Sequence, residues 1–492
     1  MKELTIPIRT KDRIPIYEQI YEYIKCDIRD GKISDGEKLP STRFLAKLLQ
    51  VSRSTVELAY DQLLSEGYVR ALRGSGFYVC RLAELEPVRG KGIQRPVREA
   101  FGGQGPEGQL EKRCQLAEDR TDKPSIRYDF SPNDIEWPEF SMNAWRKAAR
   151  RMLQEPMEEL FQAGESQGEA NLRQAICDYL HQSRGVSCHR SQIVIGAGNE
   201  YLLLLLHQLL GDVKGIAMES PTYRQACQIF SNMGWKVAAI PMDDSGMELP
   251  ELQRSGMQVA YVMPSHQFPL GTVMPMGRRS QLLSWAGEQP GRYLIEDDYD
   301  SEFRYRGKPI PSLQGSDPYG RVIYLGTFSK SIAPAIRVSY MVLPLELMAP
   351  YRERCGFYSS TVSRLQQQML YHFMKDGYFE RHLNKMRSIY RARHDRLTAL
   401  LRQRPWVLRL RGEGAGLHVL AETDPVLPEQ ELVARAGALG VRVYGLREYM
   451  ISEGQPQPWG EHPVLLFGYG ALDEEQITEG IRLLDQVFGW RP

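Results

Sequence analysis

The chain has 492 residues, of which 42% are hydrophobic and 25% are charged, and its formal net charge is +1. This length is too great for one hydrophobic core and predicts several domains of ordinary soluble composition. The seven cysteines include no C-x-x-C pair, and no stretch resembles a signal peptide or a membrane span, so we expect a cytoplasmic protein without a disulfide framework or a metal site.

The N-terminal segment predicts three helices. Isoleucines recur at every fourth position from Ile16 to Ile28 and the run stops at Gly31, which is typical of an amphipathic helix with a C-terminal glycine. Serine N-caps predict a second helix from Ser41 and a third from Ser52. The residues expected to face inward are Phe44, Leu45, Leu48 and Leu49 on the second helix, and Val56, Ala59, Tyr60, Leu63 and Leu64 on the third.

Two helices joined by the short "LLQVS" connection indicate a helix-turn-helix, and "GYVRALRGSGFYV" indicates a β-hairpin wing with its turn at Arg73, Gly74, Ser75 and Gly76. Four cations, with no acid between them, lie from Lys38 to Arg53, as a surface that neutralises DNA phosphates requires. The alternative is a small helical interaction domain with a solvated basic face.

Residues 14 to 80 resemble the winged-helix domain of the GntR family of bacterial regulators, through "PIYEQIYEYI", "DGEKLPSTRFLAKLLQVSRSTVELAYDQLLSEGYV" and "RGSGFYV". The resemblance implies operator DNA as a partner and a wing, from Arg73 and Gly74 to Gly76, close to the minor groove. The residues that it implies to face bases or phosphates are Arg43, Ser52, Arg53, Ser54 and Thr55.

Two further segments with different composition follow residue 80. Residues 81–124 are rich in Gly, Pro and charge and predict a flexible linker. From residue 125 onward, short β-branched runs alternate with segments of helix length, which indicates an α/β domain with a largely parallel sheet. We therefore predict a winged helix (mainly α with a β wing) at 1–80 and an α/β domain at 125–492. The expected strands are "QIVIGAG", "GIAMES", "KVAAIPM", "VAYVMP", "YLIEDDY", "VIYLGTF" and "VSYMVLP".

Three residues of the α/β domain suit an aldehyde cofactor, pyridoxal phosphate (PLP). Lys330 follows the predicted strand "VIYLGTF" and can supply an amine for a Schiff base, while Asp297, at the end of "YLIED", can hold the pyridine nitrogen protonated. Arg337 can bind the phosphate. Tyr299 can donate its hydroxyl to the ring oxygen. Other candidate groups are Ser329 and the backbone of Ile195 to Glu200 for the phosphate, and Tyr223 for the face of the ring.

Each of these features alone has a plainer explanation, because a lysine after a strand is usually a surface lysine and a G-x-G is usually only a turn. Their joint order is what favours the PLP interpretation. From about Tyr128 onward the chain resembles a fold-type I, class I aminotransferase, and the whole chain resembles the MocR/GabR-type branch of GntR regulators.

The resemblance implies PLP held as an internal aldimine on Lys330, in a homodimer that binds paired DNA half-sites. The residues that it implies around the cofactor are Asp297 and Tyr299 on the pyridine side, Tyr223 stacked on the ring, and Gly198, Asn199, Ser329 and Arg337 at the phosphate. "PSHQFPLG" replaces the aminotransferase "NPxNPTG" segment, so His266 and Gln267 are candidates to stand beside the ring oxygen. An ordinary loop histidine is an equal alternative for His266.

Two aminotransferase features are missing. The stretch "ELFQAGESQG" has Phe161 and Ala163 but no tyrosine, and no arginine precedes "LLFGYG" to bind a substrate carboxylate. Arg442 and Arg447 are possible substitutes or ordinary surface charges. We therefore predict a regulator that senses an amine or amino-acid effector, or PLP itself, at the Lys330 aldimine. The alternatives are a working aminotransferase with an appended DNA-binding domain, and a fold that has lost PLP and only dimerises.

Overall fold

The computed structural model describes residues 6–8, 14–72, 75–80, 125–135, 140–305, 310–452, 460 and 462–490. The chain divides into two compact units, Met1–Arg120 and Thr121–Pro492. The predicted linker, 81–124, and the predicted wing residues Arg73 and Gly74 lie outside the described residues.

The N-terminal unit contains the three predicted helices and the predicted hairpin. Its elements are α1 (Ile16–Arg29), α2 (Thr42–Leu49), α3 (Arg53–Ser65), β1 (Val69–Leu72) and β2 (Gly76–Val79), with β1 and β2 antiparallel. The side chains of Ser41 and Ser52 accept hydrogen bonds from the first turns of α2 and α3, as N-caps do. Between these helices the backbone of Gln50 is left-handed, with φ of 54°, and this turns α3 across α2.

The core of the N-terminal unit is smaller than the sequence predicted. Leu45, Val56, Tyr60 and the other buried residues pack with Ile20, Ile24 and Ile28 of α1. The inward orientation predicted for three residues is wrong, because Phe44, Leu48 and Leu64 are 55%, 45% and 39% exposed. Helix α2 is short and buries only Leu45 and Ala46 fully. Leu49 is half-buried and packs against the same core, whereas Phe44 and Leu48 face solvent.

The second unit is built on an eight-stranded sheet with the order β4-β11-β10-β9-β8-β5-β6-β7. Strands β5, β6, β8, β9 and β10 are parallel, while β11 is antiparallel to both β4 and β10. All seven predicted strands are confirmed. The strand bounds are β4 (Ile193–Gly196), β5 (Gly215–Ser220), β6 (Lys236–Asp243), β7 (Gly246–Met247), β8 (Val259–Val262), β9 (Tyr293–Asp298), β10 (Val322–Thr327) and β11 (Ser339–Val342).

Helices cover both faces of this sheet, because its strands carry apolar side chains on both sides. Ile295 and Ile323 belong to one buried cluster, whereas Leu294 and Val322 belong to another. The helices of this unit up to β11 are α4 (Met142–Met152), α5 (Met157–Leu160), α6 (Ala170–Arg184), α7 (Asn199–Leu209), α8 (Arg224–Asn232), α9 (Leu249–Ser255), α10 (Met276–Gly287) and α11 (Phe328–Ser331).

A second, antiparallel sheet in the C-terminal part has the order β12-β13-β16-β15 and packs with helices around its own core. The short strand β3 (Tyr128–Asp129) pairs with β14 (Val441–Arg442). The other elements are α12 (Met348–Arg354), α13 (Arg364–Lys375), α14 (Tyr378–Arg402), β12 (Val407–Arg411), β13 (His418–Thr423), α15 (Glu429–Ala438), β15 (Tyr444–Gly445), β16 (Val464–Gly468) and α16 (Glu474–Val487).

Among the helices that the structure describes, none combines the length and the apolar character that crossing a membrane requires.

Candidate functional site

The candidate site forms where several strands of the large sheet end. Because β4 and β10 are both antiparallel to β11, they run in the same direction, as do β5, β8 and β9. Asp297 is near the end of β9, Lys330 follows β10, and Gly198 follows β4. Ligands of open α/β sheets bind at this carboxyl edge.

These chain segments surround a cavity of about 300 Å³. Nine residues were predicted for the cofactor, and the seven that line the cavity are Lys330, Asp297, Tyr299, Tyr223, Asn199, Ser329 and Arg337. The other two are His266 and Gly198. Gly198 immediately precedes Asn199, and a Cβ added to it would collide with Arg337 Nη2. The other lining residues are Asn133, Glu200, Gln225, Met263, Phe268, Thr327, Pro334 and Ser339.

The amine of Lys330 lies close to the segment that follows β3. Its Nζ donates to the carbonyl oxygen of Asn133 at 2.8 Å and to that of Pro132 at 3.3 Å, and lies 3.2 Å from Asn133 Oδ1. Removal from water lowers the pKa of Lys330 to about 8. A larger share of this amine is therefore neutral near pH 7 than of an ordinary lysine, as a nucleophile requires.

The carboxylate of Asp297 is buried beneath the cavity. It accepts hydrogen bonds from the Tyr261 hydroxyl and, at 3.3 Å, from Asn199 Nδ2. Burial raises the pKa of Asp297 to about 7. A cationic N–H in the cavity would favour the charged form of this carboxyl and reverse part of that shift.

Arg337 and Gly198 meet at the start of α7. Arg337 has a left-handed backbone, with φ of 49°, and its Nη2 lies 2.6 Å from Glu200 Oε2. Gly198 has φ of 90°, and a Cβ added there would collide with Arg337 Nη2. The glycine thus lets the guanidinium approach the helix N-terminus, where backbone N–H groups and the helix dipole favour an anion.

Two polar atoms of the cavity walls are buried and have no hydrogen-bond partner among the described residues: Ser329 Oγ and Asn199 Oδ1. Ser329 lies next to Lys330, and Asn199 begins α7. Buried polar atoms are normally paired, so their state fits a polar ligand between β10 and α7. The sequence predicted these two residues at the phosphate, and Asn199 also donates to Asp297.

Aromatic side chains close the other side of the cavity. Phe268 packs edge-on against Tyr223 and against Tyr299, with ring centroids 6.2 Å and 6.0 Å apart. His266 is not among the lining residues. Its Nδ1 lies 2.9 Å from Asp300 Oδ2 and 3.0 Å from the Tyr299 hydroxyl, which places the imidazole behind Tyr299, two residues before the Phe268 that reaches the cavity.

Four further residues that the sequence analysis named, Gln267, Arg442, Arg447 and Phe161, do not line the cavity. Gln267 donates to the Pro221 carbonyl and accepts from Leu270 N–H, so it fixes its own loop. Arg442 lies 3.7 Å from Asp129 and is exposed. Arg447 is exposed too, and neither arginine lines the cavity. Phe161 is 69% exposed.

In the N-terminal unit, the predicted DNA contacts described by the structure lie at the starts of α2 and α3. Arg43, Ser52, Arg53 and Ser54 are exposed, and Thr55 is half-buried. Arg53 Nε donates to Glu57 at 2.8 Å. The Ser52 hydroxyl caps α3 and lies 2.7 Å from Thr55 Oγ1, so part of its hydrogen-bonding capacity is used within the helix.

Comparisons with known proteins agree with both units. Residues 16–79 match the model of bacterial regulatory proteins of the gntR family, and residues 129–442 match that of aminotransferase class I and II. A multiple substrate aminotransferase from Thermococcus profundus has a similar fold, with a TM-score of 0.65 at 25% identity over 80% of this chain and 96% of that one. The fold and site therefore define a winged helix joined to an aminotransferase-like domain.

Two relatives share both units. The uncharacterized HTH-type transcriptional regulator YdeL of Bacillus subtilis is 38% identical over 97% of each chain. The probable rhizopine catabolism regulatory protein MocR of Rhizobium meliloti is 32% identical over 96% of this chain and 94% of its own. The chain belongs to the MocR-type branch of the GntR family of HTH-type transcriptional regulators, and it is a regulator rather than a free-standing aminotransferase.

Sequence reasoning missed several residues of the site, among them Asn133 and Phe268 of the cavity wall and Tyr261, which donates to Asp297. Asn133 and Tyr261 come from segments distant from Lys330 along the chain, and no local pattern marks them. Phe268 carried a usable signal, because it directly precedes Pro269 in the segment that was examined for His266 and Gln267.

Proposed function

We propose that this regulator binds operator DNA through its winged helix and holds PLP in the cavity around Lys330. The effector is an amine or amino acid that reaches the same cavity, or PLP itself. The observation that carries the proposal is that Lys330, Asp297 and Arg337 line one cavity.

The residues around the cavity have separate proposed roles. PLP, when bound, supplies an aldehyde that condenses with amines. Lys330 provides the nucleophilic amine, Asp297 accepts a hydrogen bond from the pyridinium N–H and keeps that nitrogen protonated, and Tyr299 donates to the ring oxygen, with His266 positioning its hydroxyl. Gly198, Asn199, Ser329 and Arg337 bind the phosphate. Tyr223 and Phe268 provide apolar walls that exclude water from the ring.

The DNA surface comprises Arg43, Ser52, Arg53, Ser54 and Thr55, with Arg73 and Gly74 of the wing. A homodimer in the cytoplasm is proposed, because paired half-sites match a twofold protein. The linker, 81–124, would let effector binding change the spacing of two DNA-binding heads. The free energy available for that change is the difference between the effector's binding free energies in the two arrangements.

The proposal is tested by adding PLP to the purified full-length protein. An absorbance band at the edge of the visible range is expected, and Lys330→Ala should abolish it while Lys236→Ala, an exposed lysine of the same unit, should retain it. An unchanged band in Lys330→Ala would contradict the role of Lys330. A wild-type protein without any band would favour a fold that only dimerises.

A second measurement separates the regulator from the enzyme. We expect PLP or a screened amine to change the affinity for a duplex selected from a random library, with negligible turnover of amino donor and keto acid. Because the described lining residues include no cation besides Lys330 and Arg337, a substrate carboxylate lacks an arginine partner among them. Steady turnover without a change in DNA affinity would overturn the sensor role.

A further inference from the structure

Three potential metal ligands lie together outside the cavity: Cys177, His181 and Cys188. Cys177 and His181 are four residues apart on α6 and therefore share a face of the helix. The helix ends at Arg184, and Gly185, with φ of 65°, turns the chain back. This reversal returns Cys188 to the same face.

The distances among these side chains match those around one tetrahedral ion. Cys177 Sγ lies 3.8 Å from Cys188 Sγ and 3.8 Å from His181 Nε2, and all three ligand atoms are within 4.8 Å of one another. Around Zn²⁺, with bonds of about 2.3 Å to sulfur and about 2.0 Å to nitrogen, the corresponding edges are about 3.8 Å and about 3.5 Å. Small side-chain shifts would therefore bring all three atoms to one ion.

A disulfide between the two cysteines fits this arrangement less well. An S–S bond of about 2.05 Å would require the sulfurs to approach by roughly 1.7 Å. It would also leave His181 without a role, although its Nε2 is held 2.8 Å from the Cys188 carbonyl oxygen and 3.4 Å from the Cys188 nitrogen. The carbonyl oxygen can only accept, so Nε2 carries its proton in the metal-free protein, and it lies 3.8 Å from Cys177 Sγ.

The burial of the three residues is graded from the interior to the surface. Cys177 is buried, Cys188 is half-buried and His181 is exposed. An ion can therefore enter from the His181 side, and the fourth coordination position faces solvent and can be taken by water. This combination of two thiolates and one imidazole is a soft donor set that selects Zn²⁺ over Mg²⁺ or Ca²⁺.

The cluster connects two segments that lead into the cavity around Lys330. Arg184, on the same helix as Cys177, donates to Asp298, the neighbour of Asp297. Beyond Cys188 the chain enters β4, which leads to Gly198. An ion held by this cluster would tie α6 to the connection that precedes β4.

We propose that Cys177, His181 and Cys188 form a binding site for one divalent ion of the zinc type. Each thiol releases its proton when its sulfur binds the ion. The His181 ring proton moves from Nε2 to Nδ1, so the hydrogen bond to the Cys188 carbonyl is given up and the Nε2 lone pair binds the ion. The ion stabilises the connection between α6 and β4. The sequence pattern, C-x3-H-x6-C, lacks the C-x-x-C spacing by which zinc sites are usually found, so sequence analysis alone did not indicate it.

The test uses the full-length protein, first stripped of metal with a chelator under reducing conditions. Titration with Co²⁺ alone should produce thiolate-to-cobalt absorbance and the visible bands of tetrahedral cobalt, saturating at one ion per chain. Zn²⁺ should displace the cobalt. His181→Ala and Cys188→Ser should each weaken Co²⁺ binding more than tenfold, whereas Cys227→Ser, a half-buried cysteine of α8, should leave it unchanged.

Three results would overturn the site: no cobalt spectrum, a spectrum retained in Cys188→Ser, or recovery of a Cys177–Cys188 disulfide peptide in place of metal binding from protein purified in air. If Cys188→Ser fails to fold, as judged by circular dichroism, His181→Ala still decides the question, because exposed substitutions usually cost little stability.

Discussion

Arg184 Nε donates to Asp298 Oδ2 at 2.7 Å, and these two side chains are only 4% and 2% exposed. Asp298 also accepts from the Tyr324 hydroxyl at 2.6 Å, while Arg184 donates to the Ile310 carbonyl and to Ser265 Oγ. This ion pair joins the end of α6 to the end of β9, directly beside Asp297. Because both charges are removed from water, loss of one partner would leave the other buried and uncompensated.

Replacing Arg184 by alanine should destabilise the aminotransferase-like unit by about 3–5 kcal/mol, because Asp298 would remain buried without its cation. The measurement is chemical denaturation followed by circular dichroism. Arg435→Ala, which breaks an exposed pair with Glu431, should cost less than about 1 kcal/mol. Equal costs for the two variants would contradict this account of the buried pair.

The sequence predicted most of this fold and much of the cavity, since both rest on local patterns. Short β-branched runs bounded by glycines and helices gave the seven strands, and chain order placed Lys330 and Asp297 at strand ends. Sequence reasoning was weaker wherever burial depends on packing between elements. Phe44 and Leu64 have the helical spacing of core residues, yet they are exposed because the neighbouring helices cover only a narrow stripe of each helix.

The sequence also did not predict contacts between segments that are distant along the chain. Asn133 meets Lys330 across almost two hundred residues, and Tyr261 meets Asp297 from the neighbouring strand. His266 was a candidate for the cofactor's ring oxygen, but Phe268 lines the cavity and His266 does not. His266 and Phe268 are two positions apart in the same loop, and the path of the loop backbone decides which of the two side chains enters the cavity.

Gly198→Ala should weaken PLP binding strongly, because its Cβ would collide with Arg337 Nη2 where the phosphate is proposed to bind. Gly234→Ala is the matched control, since Gly234 also has a positive φ, 83°, but nothing lies within 4 Å of an added Cβ. Both substitutions should lose about 1 kcal/mol of stability from backbone strain. PLP affinity, measured by absorbance titration, should fall more than tenfold in Gly198→Ala alone, and equal affinities would argue against the phosphate position.

The stability of the PLP-free protein should depend on the ionisation of Asp297. Burial raises the pKa of this carboxyl to about 7 from an ordinary value of 3.8, so between these pH values the folded state holds a proton that the unfolded state loses. The stabilisation is complete below the unfolded pKa and is lost as the pH rises through about 7. Asp297 therefore contributes a slope of up to about 1.4 kcal/mol per pH unit in this window.

Asp297→Asn removes that contribution, and other buried carboxyls, such as Glu296, remain in both proteins. The measurement is the free energy of unfolding at about pH 5 and about pH 7, with no PLP added. The difference between the two pH values should favour the acidic side more in wild type than in Asp297→Asn. The same dependence in both proteins would mean that Asp297 is already charged in the folded state.

Arg53→Ala should weaken DNA binding, and the comparison with Arg435→Ala isolates the effect of position. Arg53 is 59% exposed and pairs with Glu57 four residues later on α3; Arg435 is 54% exposed and pairs with Glu431 four residues earlier on α15. Each of the two substitutions removes one exposed ion pair of the same i,i+4 kind. Only Arg53 lies at the start of the helix proposed to enter the major groove, where it must leave Glu57 to reach the DNA.

The size and salt dependence of the loss distinguish two kinds of contact. A lost bidentate base contact should cost about 1–3 kcal/mol and relax the preference at one base pair, whereas a lost phosphate contact should lower the slope of log K against log salt by about 1. Fluorescence anisotropy with a library-selected duplex at several salt concentrations measures both. If Arg53→Ala and Arg435→Ala bind alike at moderate salt, α3 does not present Arg53 to DNA, and Arg43 of α2 becomes the next residue to substitute.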